Sequence, residues 1–70
     1  MIHDSLGEAL PREIARVRDE VMPAYQSIGK AGTFALSMMR IALDNAARAM
    51  AEGDLPGMMT WYEELKGYTT

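Results

Sequence analysis

The twenty residues from Thr33 to Glu52, TFALSMMRIALDNAARAMAE, contain neither Gly nor Pro, carry Ala at six positions and are bracketed by Gly32 and Gly53. Ala, Leu, Met, Arg and Glu lose least on entering a helix, so this run predicts a helix over 33–52. Wound at about 100° per residue, Leu36, Met38, Met39, Leu43 and Met50 share an arc of about 160° with four of the alanines. Arg40, Asp44 and Arg48 fall opposite. An arc that wide suits a helix with two neighbours rather than one.

The flanking sequence supplies those neighbours. Pro11 is pre-set for a first helical position, and Leu10, Ile14, Val17, Val21, Ala24, Tyr25 and Ile28 repeat at helical spacing behind it. This predicts a first helix over 11–27, kinked at Pro23 or broken there. Residues 1–10 read as a flexible lead-in. Ser5 and Glu8 have capping-box spacing that Gly7 weakens, and the lone His3 reads as a solvated side chain. Gly29-Lys30-Ala31-Gly32 is a short connector.

After the central helix, Gly53 closes it and Asp54 caps a third helix with Pro56 in its first turn. That helix is expected over 55–66, with Leu55, Met58, Met59, Trp61, Tyr62 and Leu65 on its inner side and Tyr68-Thr69-Thr70 as a tail. The expected fold is all-α in one domain over residues 1–70. A kinked N-terminal helix lies across an αα-hairpin, and a second copy completes the bundle.

A second copy enters because 70 residues bury only roughly 60% of their unfolded surface. Phe34 and Ile41 lie beside Asn45, about 40° to 60° outside the apolar arc of the central helix. Either the first helix covers them, or they extend an exposed patch with Met38 and self-associate. The expected dimer surface is Phe34, Met38 and Ile41, with Leu36 and Trp61 beside them. Trp61, Tyr62 and Tyr25 read as core aromatics, with partner anchoring as the alternative. Seven Met residues are either gap-fillers in the core or an adaptable binding surface.

Charge and chemistry narrow the function classes. The net charge is −3, and from Asp44 onward Asp44, Glu52, Asp54, Glu63 and Glu64 face only Arg48 and Lys66. Nucleic-acid binding needs clustered cations, and the third helix offers Thr60, Glu63 and Glu64 where a recognition helix needs Arg, Lys, Asn or Gln. With one His and no Cys, nucleophile–base pairs and thiolate metal sites have nothing to be built from. Glu63 and Glu64 point about 100° apart on a helix. We therefore expect no enzyme activity, no cofactor and no metal. No secretory signal or membrane-spanning stretch is visible, and a reducing cytoplasm is the expected setting. Arg16 and Glu20 on the first helix, and Arg40, Asp44, Arg48 and Glu52 on the second, are spaced four apart. They read as a solvated face; among them Arg16, Glu20, Asp44, Arg48 and Glu52 are the candidates for contacting a partner.

The hairpin Ala47 to Gly67 is weakly similar to a tetratricopeptide hairpin, but one copy is no array. More of the chain carries a second likeness. The order REIARVR, MPAY, IGKAGTFALSMM, AMAEGD and WYEELKG, from Arg12 to Gly67, resembles a family of small helical proteins of temperate bacteriophages and prophages, the quorum-sensing anti-activators of Mu-like Pseudomonas phages. That resemblance implies a helical homodimer acting in the cytoplasm of the bacterial host. It implies binding to the DNA-binding domain of a LuxR-type activator such as LasR, and also to the type IV pilus ATPase PilB, which would block twitching and superinfection. It carries no catalytic motif. The competing expectation is a small structural or assembly component of a phage, without a host target.

Overall fold

The computed structural model describes residues 5–69, and the expectations for His3 and Thr70 lie outside them. The fold is all-α, without strands among the described residues. Helix α1 covers residues 6–26, a 3₁₀ turn covers Gly29–Gly32, α2 spans Thr33–Glu52 and α3 spans Leu55–Lys66.

Helix α1 begins five residues before Pro11, which corrects the lead-in expected over 1–10. Ser5 stands at the N-cap, and its backbone N–H donates to Glu8 Oε1 at 3.4 Å. Behind that cap Leu10 is fully buried and Leu6 packs against the core. Pro11 is the sixth helical residue, where its missing N–H forfeits a bond to the Gly7 carbonyl. Gly7 is exposed, so its carbonyl is left open to solvent rather than buried without a partner, and the loss costs little.

Pro23 neither ends the helix nor leaves it regular. Val17–Val21 form a π turn in which the N–H of Met22 donates to the Val17 carbonyl. A proline ring collides with the carbonyl four residues back in a regular helix. The wider turn just ahead of Pro23 gives that carbonyl room. It also rotates everything after it backward on the helix, so Val17, Val21 and Met22 are all buried. Ile28, expected on the same stripe, is 56% exposed because the helix ends at Gln26 and Ile28 falls in the turn that follows.

Gly29 takes a left-handed φ of +69°, and the turn brings Gly32 against the last turn of α1. The hairpin between α2 and α3 is closed by backbone geometry. Gly53 has φ +67°, its N–H donates to the Met50 carbonyl at 3.2 Å, and the Asp54 N–H donates to the Ala49 carbonyl at 2.9 Å. This crossed pair satisfies carbonyls that would otherwise be orphaned at the end of α2. Asp54 Oδ1 then accepts from the Gly57 N–H at 3.1 Å, capping α3. Asp54→Ala is expected to lower stability by about 1 kcal/mol, read as a shifted urea midpoint with unchanged slope.

The core is small. Leu10, Val17, Val21 and Met22 from α1 meet Leu36, Met39, Ala42, Ala46 and Ala49 from α2 and Met58 and Leu65 from α3. The small residues of α2 let α3 come close: a Cβ on Gly57 would lie 3.3 Å from Ala49 Cβ. The Cα extents are 38 × 27 × 15 Å. Helices pack 8–10 Å apart, so the thin dimension holds two helix layers and no helix is enclosed. The radius of gyration, 12.5 Å, exceeds the roughly 11 Å of a compact chain this long. A plate of this kind leaves helix faces bare.

Candidate interaction surface

The bare face of α2 is apolar over its first half. Phe34 is 77% exposed, Ile41 51% and Met38 37%. Helix α1 does not cover them, because it turns its own Leu10, Val17 and Val21 into the core and stops at Gln26. Farther along the same stripe are Asn45, Arg48 and Glu52. Asn45 Nδ2 donates to the Ile41 carbonyl at 2.9 Å, and Arg48 Nη1 donates to Asn45 Oδ1 at 3.3 Å. The polar half of the stripe therefore satisfies part of its own hydrogen bonding within the helix.

Two residues expected on this surface belong elsewhere. Leu36 is buried in the core of the single chain; it lies about 200° round the helix from Phe34. Trp61 is half-buried and packs against the core, as do Tyr25 and Tyr62.

A second bare stripe runs along α3. Leu55 is 63% exposed and Met59 51%, although both were expected inside. Met58 and Leu65 fix the inner face of that helix, and Leu55 and Met59 stand about 60° to 120° round from them. Asp54 and Glu63 are exposed at either end of the stripe. The nearby cation, Lys66, holds its Nζ 5.3 Å from the centre of the Tyr62 ring.

The charged candidates divide in the same way. Glu20, Asp44, Arg48 and Glu52 are exposed. Among the described residues Arg40, Asp44 and Glu52 form no ion pair, so the ladder of alternating sign does not close on itself. Arg16 is not a free outer residue. Its guanidinium is bonded through Nε and Nη2 to Glu13 Oε1 at 3.1 and 3.0 Å, and Nη2 also donates to the Leu65 carbonyl at 3.0 Å. It ties α1 to the C-terminal turn of α3, where a cation complements the helix dipole. Glu20, read as its neighbour on the outer face, is exposed, and the guanidinium is engaged with Glu13 instead.

The residues after α3 are held as well. Tyr25 Oη donates to the Thr69 carbonyl at 3.3 Å, and Tyr68 Oη donates to Glu64 Oε2 at 2.9 Å. Partial burial, then the bond to Glu64 and its charge, push the Tyr68 phenol up to about 12. The folded state thus favours the neutral phenol. Any stability this supplies is complete below about pH 10 and is lost as pH rises through about 12. An ultraviolet phenolate titration should show one tyrosine ionising near pH 12, and Glu64→Gln should move it down.

Among the described residues no helix is long and apolar enough to cross a membrane. No three His, Cys, Asp or Glu side chains among them gather where a metal ion could sit. Comparison of the chain with protein-family models, curated proteins and solved structures found no match.

Proposed function

We propose that this chain is a protein–protein interaction module that pairs with itself and inhibits a regulatory protein by occupying its surface. The observation that carries this reading is the pair of bare apolar stripes, Phe34–Met38–Ile41 on α2 and Leu55–Met59 on α3, on a charged helical plate. Monomeric proteins rarely leave such side chains together without a use for them.

The two stripes differ in their charged surroundings. The α2 stripe carries both signs, Arg48 and Glu52, which suits a like partner. The α3 stripe is bordered by Asp54 and Glu63, and its neighbour Lys66 is engaged with Tyr62. That border suits a basic protein surface by charge complementarity. A DNA-binding domain presents such a surface. Together with the resemblance of residues 12–67 to phage anti-activators, this favours a LuxR-type activator such as LasR as the target, met in the host cytoplasm. The pilus ATPase PilB is the second target that the resemblance implies. Exposed methionines such as Met59 repack easily and would help one surface serve two targets.

Isothermal titration of the chain against a purified LuxR-type DNA-binding domain tests this. Binding that competes with operator DNA, weakened about tenfold by Glu63→Lys with Asp54→Asn, which keeps the cap on α3, is the expected result. Absence of binding at low salt contradicts it. The alternative, a structural or assembly component of a phage, draws on the same two stripes. If both made contacts between copies, association would be open-ended, and light scattering would rise with concentration without a plateau.

A further inference from the structure

We infer that the α2 stripe is the seam of an antiparallel helix pair with a second copy of this chain, aligned so that Ile41 faces Met38 of the other copy and Asn45 faces its Phe34. The inference rests on the self-pairing proposed above and adds direction and register to it. Its starting point is spacing. Phe34, Met38, Ile41, Asn45, Arg48 and Glu52 follow one another at alternating steps of four and three residues, the repeat that keeps one seam facing a partner helix. Every one of these positions lies outside the core, and Phe34, Met38 and Ile41 are exposed apolar side chains.

Charge selects the direction. In a parallel pair each residue meets its own counterpart, which would press Arg48 on Arg48 and Glu52 on Glu52 within the seam. Like charges so placed disfavour the arrangement. In an antiparallel pair centred on the middle of α2, Phe34 would meet Glu52 and Met38 would meet Arg48, setting charged heads against apolar side chains.

Sliding the antiparallel pair by one step of the repeat removes both conflicts. The two-fold axis then passes between Met39 and Arg40. Met38 and Ile41 form two central layers, Phe34 lies over the stem of Asn45 at each end, and Arg48 and Glu52 extend past the start of the other α2 at Thr33. One N–H of the Asn45 amide is already given to the Ile41 carbonyl and its oxygen already accepts from Arg48. The stem beneath Phe34 therefore carries an amide that is bonded within its own helix and has its second N–H left for solvent at the end of the seam.

The chain has no Cys, so disulfide trapping on the full-length protein reads the register directly. A disulfide requires Cα atoms within about 7 Å. In the inferred pair a Phe34 position faces an Asn45 position. Two Phe34 positions, or two Asn45 positions, are offset by eleven residues, about 16 Å along the axis. An equimolar mixture of F34C and N45C should therefore give a linked dimer under mild oxidation, whereas each variant alone should not. Linking of N45C or F34C alone would overturn the antiparallel direction. No linking in the mixture, with the unmodified chain still sedimenting as a dimer, would overturn the register and leave self-pairing intact. No linking, with the unmodified chain monomeric, would overturn both and assign the stripe to a different protein.

Discussion

Gly32→Ala is expected to lower stability by about 3 kcal/mol or more, close to abolishing the fold. The strain is steric rather than conformational, since Gly32 has an ordinary φ of −92°. A Cβ there would overlap the Tyr25 carbonyl oxygen, with the Tyr25 carbonyl carbon at 3.0 Å and Ile28 Cγ1 at 3.2 Å. Two of those three atoms are backbone, so relief requires α1 and α2 to separate at the point where the chain turns. Overpacking of this kind costs typically 1–3 kcal/mol and occasionally more. A chain of this length holds only about 4 to 10 kcal/mol in total. Gly29→Ala is the control: its Cβ would meet open space, but φ is +69°, a strain of about 1 kcal/mol. Urea denaturation of both variants at matched protein concentration orders them. A Gly32→Ala midpoint no lower than that of Gly29→Ala would contradict the close approach.

Phe34→Asp combined with Ile41→Asp is expected to weaken self-association about a hundredfold or more while leaving the helices intact. Both side chains are exposed in the single chain, so the fold loses little when they change. Apolar anchor residues of an interface are worth about 2 kcal/mol or more each, and each 1.4 kcal/mol is tenfold in affinity. Leu36→Ala should do the reverse. Its side chain is buried within one copy, so stability falls by about 2–5 kcal/mol and association changes only through folding. Dissociation constants measured beside circular dichroism separate the two effects. A double variant that still pairs as tightly as the parent would remove α2 from the interface.

Much of the hairpin was legible in the residues. Gly32 and Gly53 bracket a run without helix breakers, and α2 fills that interval. Gly53 and Asp54 announced a left-handed closure followed by a cap, and both are present in the turn. Helix α1 was harder to read because its two prolines carry opposite local meanings. Pro11 looks like a starting residue, yet the cap at Ser5 and the burial of Leu10 place the start earlier. Pro23 looks like a kink or a break, yet a widened turn absorbs it. That turn inserts a residue which hydrophobic spacing does not count, so Met22 entered the core unannounced. The helix stops at Gln26, which leaves Ile28 in the following turn and outside the core.

The interaction surface was only half legible for a related reason. Phe34 and Ile41 stood out because they fall beside an apolar arc that is already wide. Leu55 and Met59 sat within an apolar run whose inner and outer edges depend on how both α1 and α2 lie against it. Arg16 had two carboxylates within reach, Glu13 and Glu20. The Leu65 carbonyl, 49 residues away, is the contact that selects the arrangement with Glu13, and no local pattern announces it.

Sedimentation equilibrium of the unmodified chain over a micromolar concentration series tests the central claim most directly. The plate with its bare α2 stripe is expected to sediment as a closed dimer throughout the upper part of that range, dissociating on dilution to a folded or partly folded single chain. A compact, fully helical monomer at high micromolar concentration would contradict it.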